Sequence, residues 1–319
     1  MTATFQLRQP AGSRSDGAGR PLDWESATPQ QLTGFIDWLD GCVPGATAGP
    51  RFVLEAEGQR VVAYGSSYLR QDGDRTVMEF PHGPAAEDES ALLALTRLLQ
   101  HTEPVRSLVI EPYLPYSEPL LAALAEQGFR PVDRPWVEYT VRIDLLPDDG
   151  ALLGSFAPKA RRAVRYAREQ GAAVRRTTER DDLVWFADRH SRMAAAAGIA
   201  PAPLAYLERA CVDRSADGAS LFVLTWRGQR IAGALVLHAG RLGYYQKGFA
   251  ERTSLGTQYL QFEAMRWLSA RGFSTYDLGG LRGPATADGV SRFKRGIAPD
   301  VSHFLPTMRW DPNDETRSA

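Results

Sequence analysis

The densest run of chemically able side chains lies late in the sequence, at Arg292-Phe293-Lys294-Arg295. It is a compact basic cluster that follows a polar, glycine-rich loop, and a charge so placed can meet an anion. Upstream, Thr275-Tyr276-Asp277-Leu278 reads as a short buried strand closed by Gly279-Gly280. Asp277 offers a carboxylate that could accept a proton from an attacking group. Tyr244 and Tyr245 end another strand, and strand alternation turns them to opposite faces, so one suits a site and the other a core or rim. A second basic element, Pro158 to Gln170, reads PKARRAVRYAREQ. Lys159, Arg161, Arg162, Arg165 and Arg168 spread over much of its circumference, leaving Ala160, Ala163, Val164 and Ala167 as a narrow apolar stripe. Such a helix is either a solvated face or a surface that tracks phosphates. No Gly-x-Ser-x-Gly elbow is present, and no histidine sits in triad or metal spacing. Neither a covalent intermediate nor a metal is expected. His82, in Pro81-His82-Gly83-Pro84, is the one histidine in a loop that could touch a ligand.

The elements that must position these groups come in two similar sets. In the second half, strands are expected over Leu221 to Thr225 and Arg230 to His238, with a third through Tyr244-Tyr245. A helix follows from Gly256 to Gly272, with Leu260, Ala264, Trp267 and Leu268 at helical spacing, Thr257 as its cap and Gly272 as its stop. The Tyr276 strand closes the set. The first half gives the same order: Phe52 to Glu57, Arg60 to Arg70, Arg75 to Phe80, a helix over Glu87 to His101, and a strand over Ser107 to Glu111. A helix over Glu118 to Gln127 and a strand over Trp136 to Leu145 complete it. Before them, Thr28-Pro29-Gln30-Gln31 reads as a capping box opening a helix that carries Leu32, Phe35, Ile36 and Leu39. The hairpin turns share letters, Gly58-Gln59-Arg60-Val61 against Gly228-Gln229-Arg230-Ile231, and duplication explains both order and letters. The turn-rich Pro147-Asp148-Asp149-Gly150 marks the boundary. Two domains are expected, 1–148 and a catalytic 149–300, with the 300–319 tail free to rejoin the first.

Length and composition bound the class. At 319 residues, 44% hydrophobic and 24% charged, the chain can build two cores. The net charge of -1 gives no global attraction to nucleic acid, so any basic site is a local patch and DNA is not an expected partner. Cys42 and Cys211 are too few for a disulfide framework and read as buried thiols in a reducing compartment. The N-terminus lacks an apolar signal core, and no run approaches the ~20 apolar residues of a membrane span. A cytoplasmic location with no transmembrane segment is expected.

Three blocks carry a resemblance: Gln261-Phe262-Glu263-Ala264-Met265-Arg266-Trp267, Tyr276-Asp277-Leu278-Gly279-Gly280, and Arg292-Phe293-Lys294-Arg295-Gly296. In this order they resemble the Fem aminoacyltransferases of the GNAT superfamily, over roughly Leu152 to Ile297. The resemblance implies an α/β (α+β) chain of two tandem GNAT-like domains, each a mixed, mostly antiparallel sheet flanked by helices. It implies transfer of an amino acid from aminoacyl-tRNA, as co-substrate and with no other cofactor, to an amine. That acceptor would be a peptidoglycan precursor or a small amine such as a specialised-metabolite (antibiotic) intermediate. Phe293-Lys294 looks like the essential Phe-Lys pair of the family, with Lys294 as the cation that stabilises the tetrahedral oxyanion and Phe293 as pocket wall. Arg292 and Arg295 flank it as substrate contacts, Tyr244 and Tyr245 would lie near the acceptor nucleotide, and the Lys159–Arg168 helix would hold phosphates of tRNA or acceptor. The pyrophosphate turn of acyl-CoA transferases needs Arg or Gln, two spacers, Gly, one spacer, and Gly or Ala. The matching place reads Arg252-Thr253-Ser254-Leu255-Gly256-Thr257, which lacks it, as Fem-type proteins do. The alternatives are an N-acyltransferase using another thioester donor or a lipid acceptor, and a catalytically silent RNA-binding protein.

One departure bears on the acceptor. After Gly198, relatives that bind nucleotide-linked muropeptides carry an Arg and, four residues later, a Tyr. Here Tyr206 keeps the aromatic position, but Ala202 stands where the Arg is expected. Alanine offers neither charge nor donor to a diphosphate. An acceptor other than a standard uridine-diphosphate muropeptide is expected.

Overall fold

The structure is a computed structural model, and it describes residues 6–8, 27–32, 35, 45–56, 60–73, 75–102, 107–134, 138–211, 218–251, 256–286 and 288–312. The chain divides into two compact units, residues 1–139 with 303–319, and residues 140–302.

The first unit holds β1 (Gln6–Arg8), β2 (Ala46–Ala56), β3 (Arg60–Asp72), β4 (Arg75–Phe80), β5 (Ala85–Ala86), β6 (Ser107–Ile110) and β7 (Phe129–Pro131). Helices Glu89–Leu99 and Glu118–Glu126 are capped by Asp88 and Ser117, whose side chains accept from Ala91 N and Leu120 N. Phe52, Phe80, Leu92, Leu108, Leu124 and Phe129 form its core. Strands β2, β3 and β4 are antiparallel, and β4 runs parallel to β6. The carboxylate of Glu79, only 2% exposed, is met by Arg70, Arg134 and Tyr68. Burial opposes its charge, but the hydrogen bonds from Arg134 and Tyr68 outweigh it and hold the carboxyl below its usual range.

The second unit is built on β8 (Tyr139–Asp144), β9 (Ala173–Thr177), β10 (Gly218–Trp226), β11 (Gln229–Ala239), β12 (Leu242–Ala250), β13 (Thr275–Leu281) and β14 (Ser302–His303). Its sheet order is β14-β8-β13-β12-β11-β10-β9. Strands β10, β11 and β12 are antiparallel, and β12 runs parallel to β13. The three-strand, helix, parallel-strand order thus occurs in both sheets. Helix Thr257–Ser269 buries Leu260, Phe262, Ala264, Met265 and Leu268, and packs on helix Pro158–Glu169. Trp267 lies half-buried, edge-on to Phe222. The mixed α/β architecture is as the resemblance implied.

Several local expectations are corrected. The strand around Trp136 to Leu145, assigned to the first half, is β8 and lies in the second sheet beside β13; Trp136 itself is outside the described residues. Pro147 to Gly150 is no linker: Asp148 caps helix Asp149–Ser155, its Oδ1 accepting from Ala151 N at 2.7 Å. Capping residues and linker residues have the same chemistry, so the letters alone do not separate them. The capping box at Thr28 does not form. The Thr28 hydroxyl donates to His82 O, and Gln31 is a buried clamp instead, bonding both ways with the Ser66 backbone and donating to Pro81 O. The Leu32 side chain, Ile36 and Leu39 lie outside the described residues, as do Cys42 and Gly58-Gln59. Thr257 is the first helical residue rather than the cap, which is Gly256. The strand expected from Phe52 begins at Ala46, because a register shift between Ala48 and Arg51 absorbs Gly49 and Pro50. The final strand expected over Val301 to Trp310 is two strands: β14 edges the second sheet, and β15 (Met308–Trp310) pairs with β6 and β7 in the first.

Candidate active site

Strands β12 and β13 pair only from Leu242 to Tyr244 against Thr275 to Asp277. Past that point β12 stays on β11 as far as Ala250, while β13 runs on to Leu281. Their separation leaves backbone groups without a ladder partner, and the candidate site uses them. Gly279 sits at φ +76, a left-handed conformation that glycine adopts without strain. A Cβ there would lie 3.0 Å from the carbonyl oxygen of Tyr245 and 3.3 Å from both Lys294 Nζ and Tyr244 Oη. The ammonium, the phenol and the glycine therefore line one small space.

Lys294 reaches it from helix Gly289–Arg295. Asp288 starts this helix, its Oδ1 accepting from Val290 N at 2.9 Å and Ser291 N at 3.1 Å. Ser291 and Lys294, three residues apart, turn one face inward. Lys294 is 7% exposed, and its Nζ donates to Gly280 O at 2.8 Å. Burial pushes its ammonium down to about 8, while Asp277 and Asp288 oppose the shift by stabilising the charge. At neutral pH it is mostly protonated. Asp277 is fully buried, and its Oδ1 accepts from the Thr140 hydroxyl and from Gly279 N at 2.5 Å. Thr140 also bonds Gly279 O at 2.9 Å. Asp277 thus holds the glycine turn and lends Lys294 negative charge.

The other expected residues divide. Tyr244 lines the space, whereas Tyr245 points from the opposite face and packs its ring over Gly248. Phe293 is half-buried and Arg292 exposed. Arg295 donates to Pro284 O at 2.5 Å and to Thr286 O, so it closes its own loop. Tyr206, on helix Leu204–Cys211, is 2% exposed. Ala202 is fully buried, its N–H donating to His190 Nδ1 at 3.2 Å. His82 lies in the first unit, its N–H donating to Glu111 at 2.9 Å.

The basic helix Pro158–Glu169 is also divided. Arg161 bonds Gly154 O at 3.0 Å and Phe156 O at 2.8 Å, tying down the preceding turn. Arg168 pairs with Glu263 at 3.1 Å, with its guanidinium 4.8 Å from the Phe262 ring. Lys159, Arg162 and Arg165 are exposed, and Tyr166 between them is 44% exposed. Thr140, Gly279 and Gly280 were not singled out from the sequence. The two glycines read as a strand stop, whereas β13 runs through them to Leu281, and Thr140 carries no local signal.

Residues 154–295 match the acetyltransferase (GNAT) domain family. The chain is 24% identical over 180 residues to the UDP-N-acetylmuramoylpentapeptide-lysine N(6)-alanyltransferase of Weissella viridescens, a match covering 56% of this chain. It spans about half the length of that curated relative, 54%. The crystal structure of FemX superposes with a TM-score of 0.75 at 18% identity, covering 92% of this chain and 95% of FemX. The structure of L-PGS from Bacillus licheniformis gives a TM-score of 0.50 at 12% identity, covering 87% of each chain. The fold is that of FemX, and the likeness to Fem-type enzymes read from the three blocks is borne out. Among the described residues no helix is long and apolar enough to cross a membrane.

Proposed function

We propose that the chain is an aminoacyltransferase that moves an amino acid from aminoacyl-tRNA onto an amine, forming an amide. The observation that supports this most is the buried Lys294, whose Nζ converges with Tyr244 Oη on the close approach at Gly279. The attacking amine forms a C–N bond to the ester carbonyl carbon, and the carbonyl oxygen becomes an oxyanion. Lys294 faces that charge, where one preorganised donor contributes about 3 kcal/mol. Collapse breaks the C–O bond, and the tRNA hydroxyl leaves with the proton that the amine gives up. The ester is already reactive, so orientation supplies a further ~7 kcal/mol or more. Asp277 acts as a positioning residue through Gly279 and Lys294. Phe293 walls the pocket, and Arg292 and Tyr206 are assigned to substrate contact with Tyr244.

The acceptor is an amine borne by a peptidoglycan precursor, as the name of the Weissella viridescens relative states for that protein, or a smaller metabolite amine. The fully buried Ala202 leaves no room for an arginine without displacement, which favours an acceptor other than a standard uridine-diphosphate muropeptide. The direct test is incubation with mixed radiolabelled aminoacyl-tRNAs and candidate amines, including uridine-diphosphate-muramoyl pentapeptide. Labelled amide that disappears after ribonuclease pretreatment supports the reading, and label transfer that survives it overturns the tRNA donor.

The donor's phosphates are assigned to the exposed part of the basic helix. Arg162→Gln with Arg165→Gln is expected to weaken tRNA binding severalfold and to lower the slope of log affinity against log salt by about 2. A filter-binding series in potassium chloride reads this. An unchanged slope would leave these arginines as a solvated face.

A further inference from the structure

Strand β12 carries a bulge just beyond the point where β13 leaves it. In its register with β11, Leu237 faces Tyr244, Val236 faces Tyr245 and Leu235 faces Lys247, so Gln246 is the extra residue. A bulge re-aims the side chains that follow it. Leu237 and Leu235 are two apart and share a face, so Tyr244 and Lys247 share one too. Without the bulge, Gln246 would stand there. Lys247 thus lies on the Tyr244 side of the sheet, about 7 Å further along the strand by two residue steps.

Its surroundings are unusual for a lysine. The Nζ donates to Ala200 O at 3.0 Å, and among the described residues no carboxylate pairs with it. Burial lowers its ammonium below the ordinary range, with no acidic group opposing the shift. The adjacent imidazole, His190, is pushed down to about 4 by burial and by Lys247, so it is neutral and accepts from Ala202 N–H. A half-buried ammonium with one carbonyl partner keeps two further donors for an anion. Ala200 and Ala202 bring this same segment, where a cation was missing from the sequence, against the lysine that β12 supplies.

We propose that Lys247 anchors an oxyanion group, phosphate or carboxylate, of the acceptor, about 7 Å along β12 from the Tyr244 and Lys294 space. This rests on the reading of that space as the transfer site, but its test does not use transfer. The full chain is titrated by calorimetry with inorganic pyrophosphate and, separately, with malonate. Saturable binding of one of them, weakened at least tenfold in Lys247→Met and kept within threefold in Lys247→Arg, supports the proposal, and the arm that binds names the oxyanion. Lys294→Met should bind the probe as the native chain does, which separates this site from the catalytic assignment. Should Lys247→Met fail to fold, Lys247→Gln takes its place. Equal binding by the charge-removing variant, an adventitious ion only, or no binding of either probe at about 10 mM, tenfold above the weakest ordinary metabolite-site affinities, overturns it.

Discussion

Lys294→Met will lower turnover at least ~100-fold and yet leave the chain no less stable at pH 7 than before. The first effect follows from removing a donor aimed at the developing oxyanion. The second follows from the cost of charging a buried ammonium. Lys294 is held near 8 against 10.5 for a free lysine, and that difference is a penalty of roughly 3 kcal/mol. Below pH 8 both folded and unfolded chains carry the proton and the penalty is complete. Between 8 and 10.5 the unfolded chain binds the extra proton, so stability rises with pH and the advantage of Met fades. Met leaves Gly280 O without its donor, which returns roughly 1–2 kcal/mol. Urea unfolding at pH 7 and pH 10 should therefore show the variant level with or above the native chain at the lower pH only. In the native chain the proposed transfer should slow as pH passes about 8. A variant that turns over normally removes Lys294 from the mechanism.

The second large effect is expected at Gly279. Gly279→Ala puts a methyl group within 3.0 Å of Tyr245 O and 3.3 Å of Lys294 Nζ and Tyr244 Oη. The left-handed backbone adds about 1–2 kcal/mol of strain for any residue with a Cβ. Turnover should fall at least tenfold because the methyl crowds Lys294 Nζ and Tyr244 Oη away from the reacting carbonyl. Gly272→Ala is the matched control: its φ is +83, but no atom lies within 4 Å of the added Cβ. It should lose about the same stability to strain and keep its activity. Steady-state kinetics beside urea melts on both variants separates strain from occlusion, and equal activities in the two would place the chemistry elsewhere.

Lys294 was legible because Phe293-Lys294 resembles the Phe-Lys pair of the Fem family. Its burial was not, since nothing local distinguishes a loop lysine in solvent from one turned inward by a short helix. The order of strand, helix and strand that leads from β12 to β13 was legible, and Asp277 lies on the strand expected for it. Its partner Thr140 was not found, because strand pairing across 137 residues leaves no local trace. Edge strand β9 was missed for a related reason: Ala-Val-Arg-Arg-Thr is short and polar, as exposed edges are. The arginines of helix Pro158–Glu169 read alike in sequence, and only contacts separate Arg161 and Arg168, which are tied down, from Arg162 and Arg165.

The return of β15 has a consequence for how the molecule comes into being. Met308 to Trp310 lies between β6 and β7, with Met308 paired to both Ile110 and Pro131. A ribosome releases β6 and β7 long before β15, so the first-made half emerges with a gap between β6 and its edge strand β7. The segment 140–302 is continuous and has every strand it needs except the last pair at its rim. Synthesis therefore favours completion in reverse, the later half setting while the earlier one waits for the tail to thread into place. Until then the facing sides of β6 and β7 are open edges, and nascent chains of this protein are most exposed to mispairing there.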